Sequence, residues 1–329
     1  MVNKVTIIKI KYIIREVYNM AKNFIAFEKE INSLFPKDST FKYKNELYKV
    51  NFSGKPTCKK GEPKTDVFVE VTKLSDNSIG QIKISVKKSN AEFLENKIKP
   101  ERAEAIIGDN WSKVIESATK KISNKFEKRY LIFKDKKGKS DAGSITLGWK
   151  YEILAVSSGD LSAKLDLTEK QVIEIYSGNK LPLDKKNSIV CGKEIKNSGV
   201  ATSILIGNLS DFKSTQDVID NLLPIKTYVK ANPNVYLACK ALNYRSLINK
   251  YDGDRPLCVF IDWNVINNKL TPTFRYDKPL ITGGKEVLDK LKSSLITLNA
   301  SNTDNLSIED IAYKDIVYIS EVKSKIKNS

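Results

Sequence analysis

Two stretches hold residue types that could do chemistry together. GEPKTDVFVEV (61–71) sets Asp66 immediately before an alternating apolar run, and QIKISVKKS (81–89) sets Ser85 and Lys87 near the end of another. SDNSIG (75–80) between them is a cluster of turn formers, so the two runs read as one hairpin. With a turn centred between residues 76 and 78, partner numbers sum to about 153–155, and Asp66 faces Lys87 or a residue just beyond it. Alternation puts Val67, Val69 and Val71 with Ile82, Ile84 and Val86 on a buried face. Asp66, Phe68 and Glu70 then share the other face with Gln81, Lys83, Ser85 and Lys87. Lower down, Glu70 falls opposite Lys83, where a plain cross-strand ion pair is expected. A lone aspartate at such a position is most often a solvated strand terminus. With a hydroxyl and an ammonium beside it, the group suits metal-assisted phosphodiester hydrolysis. The carboxylate holds a divalent cation, the cation acidifies a water, and the ammonium stabilises developing charge.

Composition narrows the chemistry further. The 329 residues contain no histidine, which excludes serine–histidine and cysteine–histidine catalysis and histidine-ligated metals. Acid–base work must fall to carboxylates, lysine, tyrosine, cysteine or metal-bound water. Fifty-six basic against 39 acidic residues give a formal charge of +17 and favour a polyanionic partner, unless lysine is simply enriched throughout. Cys58, Cys191, Cys239 and Cys258 form no C-x-x-C pair, so reduced thiols in a cytoplasmic protein are expected. No apolar run approaches the roughly 20 residues of a membrane span. Residues 1–19 are apolar but interrupted by Lys9, Lys11, Arg15 and Glu16, and Met20 is a possible alternative start. No function is assigned to them.

The elements that must position Asp66 and Lys87 follow from periodicity. AKNFIAFEKEINSLFPKD (21–38) spaces Phe24, Phe27, Ile31, Leu34 and Phe35 as a helix stopped by Pro36. TFKYKNELYKVNF (40–52) alternates as two strands turning near Lys44 and Asn45. Beyond the hairpin, NAEFLENKI (90–98) and residues 100–126 read as helices and RYLIF (129–133) as a strand. KDKKGKSDAGS (134–144) reads as a basic linker or loop. Strands at 145–156, helices at 168–178, near 214–223 and at 284–295, and a hairpin turning at Asn267 and Asn268 complete the pattern. The fold class is α/β (α+β), a mixed central sheet flanked by helices. A catalytic core over 20–140 and a target-recognition region over 141–329 are expected, unless both share one core.

At the residues PKTD (63–66) and ISVKK (84–88) the chain resembles the PD-(D/E)XK nuclease superfamily, and within it the type II restriction endonucleases. The likeness spans roughly residues 20–135, where the element order is helix, strands, helix, strand. It implies a restriction-endonuclease-like core with Asp66 as metal-binding aspartate, Lys87 as motif lysine and the Val86 carbonyl as a further ligand. Ser85 departs from the pattern, occupying the place of a second acid, and a hydroxyl is a poorer magnesium ligand than a carboxylate. Either Ser85 acts through water or another acid supplies the charge. Glu28 and Glu30 on the first helix, and Glu70, are the candidates. Gln81-x-Lys83 is a rival registration, but Lys83 lies about four residues, roughly 13 Å, down the strand from Lys87.

The implied activity is Mg²⁺-dependent, sequence-specific cleavage of double-stranded DNA by a homodimer, with no membrane partner and no nucleotide cofactor. Two other readings fit the same residues: a non-catalytic basic nucleic-acid-binding protein, and a repair or phage nuclease of the same fold. Lys88, Lys120, Lys121, Lys136, Lys137 and Lys139 are candidate phosphate contacts, or solvated surface charges. Lys185, Lys186, Asn187, Lys196, Asn197, Asn243 and Arg245 are candidates for base readout if they sit on projecting elements. Trp263 and Tyr276 read as core or sheet-face residues.

Overall fold

The structure is a computed structural model that describes residues 24–320, so the segment 1–19 lies outside the described residues. The chain divides into two compact units, and each takes two pieces of sequence. The first holds the residues up to Ala91 and Glu169–Pro233; the second holds Glu92–Thr168 and the residues from Asn234 onward.

The first unit is built on a mixed sheet. Helix α1 (24–33) is followed by strands β1 (Thr40–Tyr43), β2 (Glu46–Gly54), β3 (Val67–Lys73) and β4 (Ile79–Lys88), which form an antiparallel meander. Lys44 and Asn45 both adopt positive φ, 50° and 64°, the conformation a two-residue hairpin turn needs. After the excursion into the second unit the chain returns as helix α2 (Glu169–Ser177) and strand β5 (Ser203–Gly207). β5 pairs parallel with β4, in the register Ser85↔Ile204 and Lys87↔Ile206. Helix α3 (Thr215–Asp220) follows, its N-cap Ser214 accepting the Asp217 N–H. Phe27, Ile31 and Phe35 from the α1 segment and Val218 and Ile219 from α3 close over Val67, Val69, Val71, Ile84, Val86 and Leu205. The valine face is therefore the core face, as alternation requires.

The second unit carries its own sheet. Strand Ser144–Leu154 is its axis, flanked by Tyr236–Arg245 and by Val259–Ile266, and the latter pairs with Lys269–Arg275. That last hairpin turns at Asn267 and Asn268, both at positive φ, and Trp263 is fully buried within it. Among the described residues no helix is long and apolar enough to cross a membrane.

Three expectations change. The chain does not divide near residue 140: Ile132–Phe133 pairs with Ser144–Leu154, so residues 134–144 connect two strands of one sheet. NAEFLENKI is not a helix, because Phe93–Glu95 extends along Ser144–Leu154 as an edge strand. The helix and strand that complete the first unit are α2 and β5, not residues 100–133, which belong to the second unit.

Strand β4 carries both an interior and a surface position that calibrate its packing. Ile84 is fully buried in the core and Ile79 is 69% exposed. Ile84→Ala should lower the unfolding free energy by about 2–5 kcal/mol, and Ile79→Ala should stay within roughly 0.5 kcal/mol. Urea titration of both variants checks this, and equal losses would contradict the packing described.

Candidate active site at the β3–β4 end

The turn between β3 and β4 fixes where Asp66 lies. Asn77 adopts φ 58°, the Asp76 carboxylate accepts the Ser78 N–H at 2.8 Å, and the ladder runs from Thr72↔Ile79 to Val67↔Ile84. Partner numbers therefore sum to 151, and the turn centre lies slightly earlier than the sequence indicated. Asp66 consequently meets residues 84–86 rather than Lys87. Its N–H donates to the Ile84 carbonyl at 2.8 Å. Its Oδ2 accepts the Val86 N–H at 2.7 Å and the Ser85 hydroxyl at 3.4 Å. Lys83 falls opposite Phe68 and Gln81 opposite Glu70, so the expected Glu70–Lys83 ion pair does not form. Glu70 instead accepts from the Asn51 amide at 3.1 Å.

Burial pushes the Asp66 carboxyl up to about 6, from an ordinary 3.8. Lys87 pulls it down, Glu28 pushes it up, and the Val86 N–H and Lys55 pull it down. The charged groups acting on Asp66 are thus Lys87, Glu28 and Lys55. Lys83 feels chiefly burial, which lowers its pKa. Lys83 and Lys87 flank Ser85 on one face of β4, and of the two it is Lys87 whose charge acts on Asp66. In an extended strand the N–H and C=O of one residue point to the same side. The Val86 carbonyl therefore faces the Asp66 side.

Of the three candidate acids, Glu28 is the one the fold brings to Asp66. Glu30, two residues along α1, lines a shallow hollow with Lys88, Asn208 and Lys213. Glu70 is committed to the β2 side of the sheet. Ser85 is 3% exposed and too enclosed to be an open hydroxyl ligand. Lys55, just after β2, was not singled out from the sequence; its ammonium lies 2.5 Å from Glu28 Oε2. Only its place at the exit from β2 hinted at it, and lysines are too common in this chain for that to stand out.

The loop before Asp66 is pinned to the loop carrying several proposed DNA contacts. Lys64 and Thr65 donate their N–H groups to the Gly199 carbonyl at 2.9 and 3.3 Å, and Thr57 forms a β-bridge with Ile189. The approach is close enough to demand glycine: a Cβ on Gly199 would lie 1.8 Å from the Lys185 carbonyl oxygen. Lys185, Lys186, Asn187, Lys196 and Asn197 thereby sit in the loop docked on PKTD. Asn187 spends its side-chain oxygen on the Asn197 N–H at 3.0 Å, and Asn197 holds a positive-φ turn, so these two shape the loop. Lys88 lies over the Phe24 ring at 5.3 Å.

The proposed contacts in the second unit are largely compensated. Lys120 pairs with Glu116, Lys121 with Asp166 and Lys136 with Asp141, while Lys137 lies over the Tyr130 and Tyr318 rings. Lys139 is exposed on the connection between two strands. Asn243 and Arg245 are not on a projecting loop: they belong to strand Tyr236–Arg245, and Arg245 pairs with Asp252 at 2.6 Å.

Among the described residues no group of three or more acidic or cysteine side chains could hold a metal ion as they stand. The donors at Asp66 are nevertheless all oxygens, two carboxylates and a main-chain carbonyl, which fits a hard divalent cation that keeps several waters. Burial is the first cause of the raised Asp66 carboxyl, and the Glu28 charge adds to it. Comparison of the chain with protein-family models, curated proteins and solved structures finds no match in any of the three.

The Asp66 environment has a pH signature. A folded-state carboxyl at about 6 against 3.8 means the folded protein binds this proton more tightly than the unfolded chain does. The associated stability is complete below about pH 3.8 and is lost as pH rises through about 6. Asp66→Asn keeps an acceptor for Val86 and removes the charge. The variant should exceed the wild type at pH 7.5 by roughly 1–3 kcal/mol, with the gap closing toward pH 4. Denaturant titrations at the two pH values measure this; a constant gap would contradict it.

Proposed function

We propose that the protein is a Mg²⁺-dependent endonuclease acting on double-stranded DNA, of the restriction-endonuclease-like class. The observation that carries the reading is the Asp66–Glu28–Lys87 group at the open end of β3 and β4. An α1–β1β2β3β4–α2–β5 succession, with β5 parallel to β4, surrounds it. That succession has the helix, strands, helix, strand order that the sequence likeness implies, with Glu92–Thr168 of the second unit inserted between β4 and α2.

In this reading Asp66, fixed by the Val86 N–H and the Ser85 hydroxyl, presents its remaining oxygen lone pairs beside the Val86 carbonyl. Glu28 supplies the second negative charge from α1, replacing the acid that Ser85 is not. A bound Mg²⁺ supplies acidification of water and neutralisation of phosphate charge. Lys87 extends from the same strand face as Ser85 and offers its ammonium to the phosphodiester as charge builds on the non-bridging oxygens. The lysines of the loop docked on PKTD hold the phosphate backbone beside the site, a contribution that weakens steeply with salt. Sequence-specific recognition and action as a homodimer belong to the same proposal, since a palindromic target suits two-fold symmetry.

Incubation of the purified protein with plasmid and phage DNA in Mg²⁺ should give discrete fragments. A smear would mean a non-specific nuclease, and intact DNA across substrates would sink the proposal in favour of a binding protein. Asp66→Ala and Lys87→Ala should each reduce the cleavage rate by roughly 10²-fold or more while retaining DNA binding in a gel-shift assay.

A further inference from the structure

Lys55 ties the end of β2 to helix α1. Its ammonium meets Glu28 of α1 at 2.5 Å, with 41% of the lysine and 19% of the glutamate side chain exposed. The charges of Glu28, Glu62 and Asp66 all act on it. Three carboxylates from three segments, α1, the loop after β2 and the start of β3, thus act on one cation. A partly exposed lysine–glutamate pair contributes little to stability by itself. What this pair does is offset the repulsion between Glu28 and Asp66, which would otherwise stand as like charges near the open end of the sheet.

Resting on the metal-dependent reading above, we infer that Lys55 is a place-holder for the divalent cation. Its ammonium neutralises Glu28 and, together with Lys87, offsets the charge of Asp66 in the metal-free protein, and it must swing aside before the same carboxylates bind the metal. Lysine suits this role better than arginine would. Its charge is a point on a flexible four-carbon stem, with no planar fork to lock bidentately onto a carboxylate. Lys55 is no part of the apolar core that closes over the valine face, so its withdrawal leaves that core untouched. The consequence is a tuned affinity: Glu28 becomes a ligand only when its lysine leaves, and the site stays charge-balanced without metal.

The test uses the full-length protein stripped of metal, titrated calorimetrically with MgCl₂ and melted with and without it. Lys55→Met should bind Mg²⁺ at least about tenfold tighter than the wild type, as expected when a competing charge beside the carboxylates is removed. It should melt lower than the wild type without Mg²⁺ and recover with it. Lys55→Arg should keep the wild-type affinity or fall below it. If Lys55→Met does not fold, Lys55→Gln carries the same expectation. Wild-type or weaker Mg²⁺ affinity in the neutral variants, with binding still abolished by Asp66→Asn, overturns the place-holder role and leaves the nuclease reading standing. No Mg²⁺ binding by the wild type or any variant overturns both.

Discussion

Strand β4 is held along both edges, and the first unit is organised by that fact. Toward β3 its pairing is antiparallel, and toward β5 it is parallel. Ile84 and Val86 point into the core while Ser85 and Lys87 point to the opposite face. β3 begins only at Val67, so past that point β4 would lack a main-chain partner on this edge. The Asp66 side chain takes over: its Oδ2 receives the Val86 N–H where the ladder stops. A buried N–H without an acceptor costs about as much as a lost hydrogen bond, so Asp66 has a structural task whatever else it does.

That task alone does not account for aspartate. A strand-end acceptor needs an oxygen, not a charge, and asparagine would serve without the penalty of ionising a crowded carboxyl. Instead the chain places a second carboxylate, Glu28, where it raises Asp66 further, and then two ammonium groups, Lys87 and Lys55, where they lower it. The arrangement is costly as scaffolding and reasonable as a receptacle for positive charge. Opposed ionisable groups gathered at one sheet end set Asp66 apart from a plain terminal hydrogen bond.

Much of the local structure was legible because it depends on short-range rules. The helix ending before Pro36, the turns at Lys44–Asn45 and Asn267–Asn268, and the valine face of β3 follow from spacing and turn chemistry. The β3–β4 hairpin was legible too, but its register was not: a turn centre displaced by about one residue moves every partner by two. That shift left the faces unchanged, which is why Asp66, Ser85 and Lys87 still share one side. NAEFLENKI failed for a different reason. Its residues favour a helix in isolation, and pairing with Ser144–Leu154 overrides them.

The interruption between β4 and α2 marks where sequence reasoning stops. A parallel β4–β5 pair needs a crossover, commonly a single helix of a dozen residues or more. Here the crossover contains half of a second unit, whose remainder comes after residue 233. Nothing in Ser203–Gly207, a short apolar run, names Ile84–Lys88 as its neighbour. The same limit applies to the charge. A net +17 says nothing about which lysines are already paired, and the second unit pairs Lys120, Lys121 and Lys136 locally. The excess that bears on the site is smaller and more specific: the loop around Lys185 and Lys186, fastened by Gly199 to the residues that lead into Asp66. Main-chain contacts far apart in sequence thus set a basic loop beside Asp66, a placement that composition alone does not reveal.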